Sequence, residues 1–143
     1  MKRLLLTLFS FCILQGALAE DGSRLWLRQA TDAQATVTCK LTSETAQIAQ
    51  AELEQVWKGV PVVLKKTKDK DLRKLPASSY RIRAIEEGKQ IEISSLSDVG
   101  LLYGAYHLLR LQATNADVQS LDITESPAFD KRILNHWDNL DRR

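Results

Sequence analysis

Four groups of residues in this chain carry the types and spacing from which chemistry can be built. Asn135, His136, Trp137, Asp138 and Asn139 form five consecutive polar or aromatic side chains at the end of an apolar run, Ile133 and Leu134. Cys39 is a thiol and His107 an imidazole, and either could serve a small hydrolase as nucleophile or base. No second group stands at a spacing that argues for a catalytic pair. Neither Cys nor His stands at ligand spacing from His107, so a metal site is not expected and His107 reads as a boundary residue of a helix. Cys39 alternates with Val37 and Leu41, which places all three on one face of a strand and makes a buried, inert thiol the plainer reading. The fourth group is basic: Lys65, Lys66, Lys68, Lys70, Arg73 and Lys74, with Asp69 and Asp71 among them. It reads as a solvated connector over 65–79, and as an acidic-polysaccharide site only as a second reading, because no aromatic residue is interleaved.

The chain has 143 residues, 44% of them hydrophobic, with 20 Lys and Arg, 18 Asp and Glu, and two Cys. This suits one folded domain. Its first residues read as an export signal: Lys2 and Arg3, an apolar run over 4–14, then Ala17, Leu18 and Ala19, with cleavage expected between Ala19 and Glu20. The apolar run is short of the roughly 20 residues that span a membrane. Phe11 before Cys12 is too bulky for a lipoprotein site, so lipidation is not expected. The mature product is expected to be periplasmic or secreted, with no membrane attachment after cleavage. Losing Lys2 and Arg3 brings Lys and Arg down to 18, the number of Asp and Glu, and a neutral chain does not carry a nucleic-acid footprint. Only Cys39 survives cleavage, so the fold must rest on its core without an internal disulfide.

These groups have to be positioned by a mixed sheet and two main helices. Residues 25–28 and 36–41 read as strands. Ala46, Ala49, Leu53 and Val56 mark the buried stripe of an amphipathic helix over 43–57, capped by Thr42 or Ser43 and stopped at Gly59. Val60 to Leu64 then makes a strand with Pro61 at its start, completing a β-α-β unit. Residues 80–84 and 90–94 alternate around Glu86, Glu87, Gly88 and Lys89, a hairpin with the glycine a tight turn wants. A second helix over 99–112, capped by Ser97 or Asp98, carries Leu101, Leu102, Ala105, Leu108 and Leu109 on its apolar face. Gly100 and Gly104 share one side of it; at about 1 kcal/mol each relative to Ala they signal close backbone approach. After a polar linker, residues 121–124 make one more short strand. Residues 131–139 begin like a buried strand, and its backbone groups need a sheet that this domain does not supply. The expected fold class is α+β or α/β: a two-layer sandwich with both helices on one face, followed by an orphan strand.

Two stretches carry a resemblance to known families. The hairpin and helix over 80–111, with Gly100 and Gly104, resemble the small α/β domain that precedes the catalytic barrel in hexosaminidases and α-glucuronidases. Ser126 and Pro127, then Arg132, Ile133, Leu134, Asn135, His136, Trp137, Asp138, Asn139, Leu140 and Asp141, resemble the start of the barrel in the xylan α-glucuronidases, glycoside hydrolase family 67. Glu20, Asp21 and Gly22 with 25–28 are similar to the start of the mature protein in that family. The resemblance divides the chain into a signal peptide (1–19), an N-terminal domain (20–125) and the beginning of a (β/α)8 barrel (126–143).

The resemblance implies an exported enzyme that removes glucuronic acid, or its 4-O-methyl ether, from xylo-oligosaccharides with inversion, using no cofactor. Inversion needs an acid and a base carboxyl about 6.5–9.5 Å apart. In the family these lie on later barrel strands, so no catalytic residue is expected in this chain, which is expected to be inactive alone. A whole barrel needs about 250 residues. Strand ends face the active site, so Trp137 would offer a ring face to sugar in a complete enzyme, or simply pack at the barrel mouth. Asn135 and Asp138 would bind substrate or hold the loop. A free-standing exported carbohydrate- or protein-binding module is the alternative, though it leaves 134–141 without an explanation.

Overall fold

The computed structural model describes residues 32–129. The expected signal segment with Ala19 and Glu20, the strand expected at 25–28, and the expected barrel strand with Asn135, Trp137 and Asp138 lie outside the described residues.

Five strands form one mixed sheet: β1 (Val37–Cys39), β2 (Val62–Lys66), β3 (Tyr80–Ile85), β4 (Gln90–Ser95) and β5 (Asp122–Glu125). Their spatial order is β1-β2-β4-β3-β5. β1 runs parallel to β2 and β2 to β4, whereas β3 is antiparallel to both β4 and β5. Only β3 therefore points against the others. Helix α1 (Glu44–Val56) joins β1 to β2, and α2 (Asp98–Ala113) joins β4 to β5 across β3. Both crossovers step in the same direction along the sheet. Crossovers of one hand that step the same way deliver their helices to the same face, and α1 and α2 pack side by side there. The expected two-layer α+β sandwich is what the chain forms.

Each helix starts where a serine can supply the missing acceptor. Ser43 Oγ accepts from Ala46 N at 3.3 Å, and Ser97 Oγ accepts from Gly100 N at 3.1 Å. Ala46, Ala49, Leu53 and Val56 of α1 are buried, as are Leu101, Ala105, Leu108 and Leu109 of α2. They close over Val62, Leu64, Ile82, Ile91 and Ile93, the alternate residues of the three central strands. The α2 backbone lies so close to the sheet that a Cβ on Gly104 would stand 2.5 Å from Ile93 Cγ2, and one on Gly100 would stand 2.0 Å from Ser95 Oγ. These two glycines meet the packing requirement that their spacing implied.

Gly59 acts differently from expectation. It has no left-handed backbone; α1 ends at Val56 with Trp57 already extended. Its lack of a side chain admits the Trp57 indole, which would come within 2.2 Å of a Cβ there, and Trp57 Nε1 donates to Val60 O at 2.7 Å. The ring caps the end of the core. The hairpin turn does use the left-handed region, at Glu86, Glu87 and Gly88 in succession (φ 51°, 57° and 82°).

The stretch 65–79 is more structured than a solvated connector. Lys65 and Lys66 complete β2, and a single 3-10 turn (Leu72–Lys74) buries Leu72. Asp69 Oδ1 sets up that turn by accepting from Asp71 N at 2.7 Å. The basic residues are partly neutralised: Lys66 pairs with Asp98 at 3.0 Å and Lys74 with Asp71 at 2.9 Å. Lys65 pairs with Glu92.

Candidate functional site

The face of the sheet away from the helices is polar. Its alternate positions bring Lys65, Glu92, Arg83, Arg81 and Asp122 together. Glu92 is clasped by Lys65 on one side and by Arg83 on the other (3.5 Å), and Arg81 forms a two-pronged pair with Asp122 at 2.7 Å. A sheet with one wet face commonly carries such cross-strand pairs. They hold one another across the strands.

A cavity lies where α2 passes over the start of β3 and the end of β5. It has a volume of about 450 Å³ and is lined by Tyr80, Tyr103, Tyr106, His107, Arg110 and the segment 125–128. Several features fix its walls. Tyr80 and His107 are buried, their rings meet edge to face with centroids 5.8 Å apart, and Tyr80 Oη lies 2.9 Å from His107 Nδ1. Ser79 Oγ donates to Ser126 Oγ at 3.2 Å and ties down the chain leaving β5. Tyr103, half-buried against the core, and the exposed Tyr106 and Arg110 come from α2 at i, i+3 and i+7.

The electrostatics follow from burial and from one charge of each sign. Burial, then Arg110, hold the His107 imidazole below its usual range, with Glu125 opposing. Burial, then Glu125, push the Tyr80 phenol up, with Arg110 opposing. Near neutral pH His107 is thus uncharged and Tyr80 protonated, and the two share one hydrogen bond whose direction follows the imidazole tautomer. Tyr106, also raised by burial, is held by Glu52 across the helix pair. The cleft offers aromatic faces, hydroxyls, one guanidinium and one carboxylate.

His107 is not the boundary residue that its place in the sequence suggested; it is 8% exposed and pinned to Tyr80. Cys39 is half-buried at the margin of the core, its Sγ 4.0 Å from Leu41 O. The strand pattern put it on the helix side correctly, but edge strand β1 is too short to cover it fully. Among the described residues no group of three or more His, Cys, Asp and Glu stands together as a metal site would require, and no helix is long and apolar enough to cross a membrane. Tyr80 and Glu125 were missed as site residues because they come from different strands. The only signal in the sequence is the spacing of Tyr103, Tyr106, His107 and Arg110 on α2.

Fold and site together define a small α+β sandwich with a tyrosine-lined cleft at one end of its helix layer. No family model matches the chain. Over 71 residues, half of its length, it is 35% identical to a probable alpha-glucuronidase A of Aspergillus terreus. The chain covers 8% of that protein's length. This partial likeness links the chain loosely to the α-glucuronidases.

Proposed function

We propose that this chain is the non-catalytic N-terminal domain of an exported α-glucuronidase that releases (4-O-methyl)glucuronic acid from xylo-oligosaccharides with inversion. The observation that carries the reading is the likeness of half of the chain to a probable α-glucuronidase. The α+β sandwich supports it as a domain that can fold on its own core beside a catalytic body. In this reading the acid and base carboxyls belong to a barrel outside the domain, and residues 126–143 lead into it. Trp137, Asn135 and Asp138 meet substrate only once that barrel is present. Residues 1–19 direct export and leave at Ala19.

The test is turnover. The purified chain, incubated with aldouronic acids, is expected to release no glucuronic acid, whereas a polypeptide joining it to a barrel with acidic strand ends is expected to release it. Release by the 143-residue chain itself would place the catalytic carboxyls within it and overturn the proposal.

A further inference from the structure

We propose that the cleft between α2 and the end of β5 is a carbohydrate subsite that holds one neutral pyranose residue of a xylo-oligosaccharide backbone. The choice of xylan rests on the proposed function; the choice of a neutral sugar rests on the cleft. A pyranose ring presents an apolar C–H face and a rim of hydroxyls. Tyr103 and Tyr106 give it ring surface from α2. Arg110 donates and Glu125 accepts, which is what neighbouring sugar hydroxyls require. Among the described residues neither Arg110 nor Glu125 closes an ion pair, so both remain able to bond a ligand.

The charges decide between a neutral sugar and a uronate. One cation and one anion flank a neutral imidazole, so the cleft has no net attraction for an anion, and a uronate drawn to Arg110 would also meet Glu125. At about 450 Å³ the cleft falls within the range of ligand sites, roughly 300–1,000 Å³. Its walls are prepared before binding: Tyr80 and His107 lock each other, and Ser79 holds Ser126. A sugar therefore orders few side chains on arrival, which limits the entropic cost of binding.

The experiment is an amide NMR titration of the full chain with xylotetraose, cellotetraose and glucuronic acid up to about 10 mM, high enough to reveal a millimolar complex. Xylotetraose is expected to shift the amides of Tyr103, Tyr106, His107, Arg110 and 125–128. Tyr106→Ala and Arg110→Gln are each expected to weaken binding about five-fold or more. Arg110 is exposed, so the Arg110→Gln spectrum should otherwise stay in place, whereas Tyr106→Ala also frees Glu52 and should add shifts confined to its surroundings on α1. Equal binding of cellotetraose supports the cleft as a pyranose subsite and counts against the xylan reading. The proposal falls if no shifts appear, if glucuronic acid binds more tightly than xylotetraose, or if both variants bind as the parent does. None of these outcomes depends on whether the chain hydrolyses anything, so failure of the subsite and failure of the proposed function are separately visible.

Discussion

The hydroxyl of Tyr80 and Nδ1 of His107 lie 2.9 Å apart although 27 residues separate them along the chain. The contact joins β3 to α2 across the β3–β4 hairpin, and it exists because α2 can settle onto the sheet at Gly104. A Cβ at that glycine would stand 2.5 Å from Ile93 and 3.3 Å from the Tyr80 ring itself. Close helix–sheet contact and the polar pair at the cleft are therefore one structural fact.

The first prediction concerns pH. Burial and Arg110 hold His107 below its usual range in the folded chain, so the unfolded chain takes up that proton more readily. Stability should be level above the unfolded value near 6.5 and fall as pH drops below it, until the folded value is passed. Urea unfolding midpoints measured between about pH 7.5 and pH 5 should decline in the parent and decline less in His107→Gln. Equal slopes in the two proteins would show that His107 is not the group responsible. The depressed carboxyls Asp69 and Asp122 titrate at more acidic pH and leave this window clear.

The second concerns the helix glycines. On an exposed helix Gly→Ala gains about 1 kcal/mol. Here the added methyl meets Ile93 at position 104 and the Ser95 hydroxyl at position 100. Ser95 Oγ cannot easily turn away, because it donates to Ser79 O at 2.7 Å and accepts from Ser97 N at 3.2 Å. Overpacking of this kind costs about 1–3 kcal/mol. Thermal and chemical denaturation should show both Gly100→Ala and Gly104→Ala less stable than the parent. A gain in either would mean that α2 rides higher on the sheet than described.

The third compares two carboxylates on the open face of the sheet. The Glu92 side chain is 12% exposed and serves both Lys65 and Arg83, so Glu92→Ala removes two pairings and leaves two cations close together. A loss of about 1–3 kcal/mol is expected. Asp122 is 51% exposed and pairs with Arg81 alone, so Asp122→Ala should cost about 0.2–1 kcal/mol and the effect should fade with added salt. Equal losses in urea denaturation would contradict the description of Glu92 as the clasped residue.

Much of the fold is legible in the amino-acid sequence. The alternation of Tyr80, Ile82 and Ala84 against Ile91 and Ile93 predicted the hairpin, and the three- and four-residue recurrence in α1 predicted its buried stripe. Thr42 or Ser43, and Ser97 or Asp98, announced the two helix starts, of which the serines serve as caps, and two glycines four residues apart announced a close approach. These are local signals: each depends on the conformational preferences of a few neighbouring residues or on the period of one element. The expected export signal was read from local pattern and the residues around Trp137 partly from resemblance, and both lie outside the described residues.

What local pattern could not reveal was partnership. The sequence placed Gly59 at a helix stop, but only the folded Trp57 ring explains why no side chain fits there. It treated 65–79 as a solvated run because Lys, Arg and Asp dominate it, yet Leu72 within that run is buried. It could not set β4 between β2 and β3, since strand order depends on how crossovers pack. The cleft follows the same rule: Tyr80 belongs to β3, His107 and Arg110 to α2, and Glu125 to β5. The chain by itself determined which segments become strands and helices, because those choices rest on nearby residues. Only the tertiary structure decided which of their side chains meet, because contacts between residues remote in sequence are set by the packing of whole elements onto one sheet.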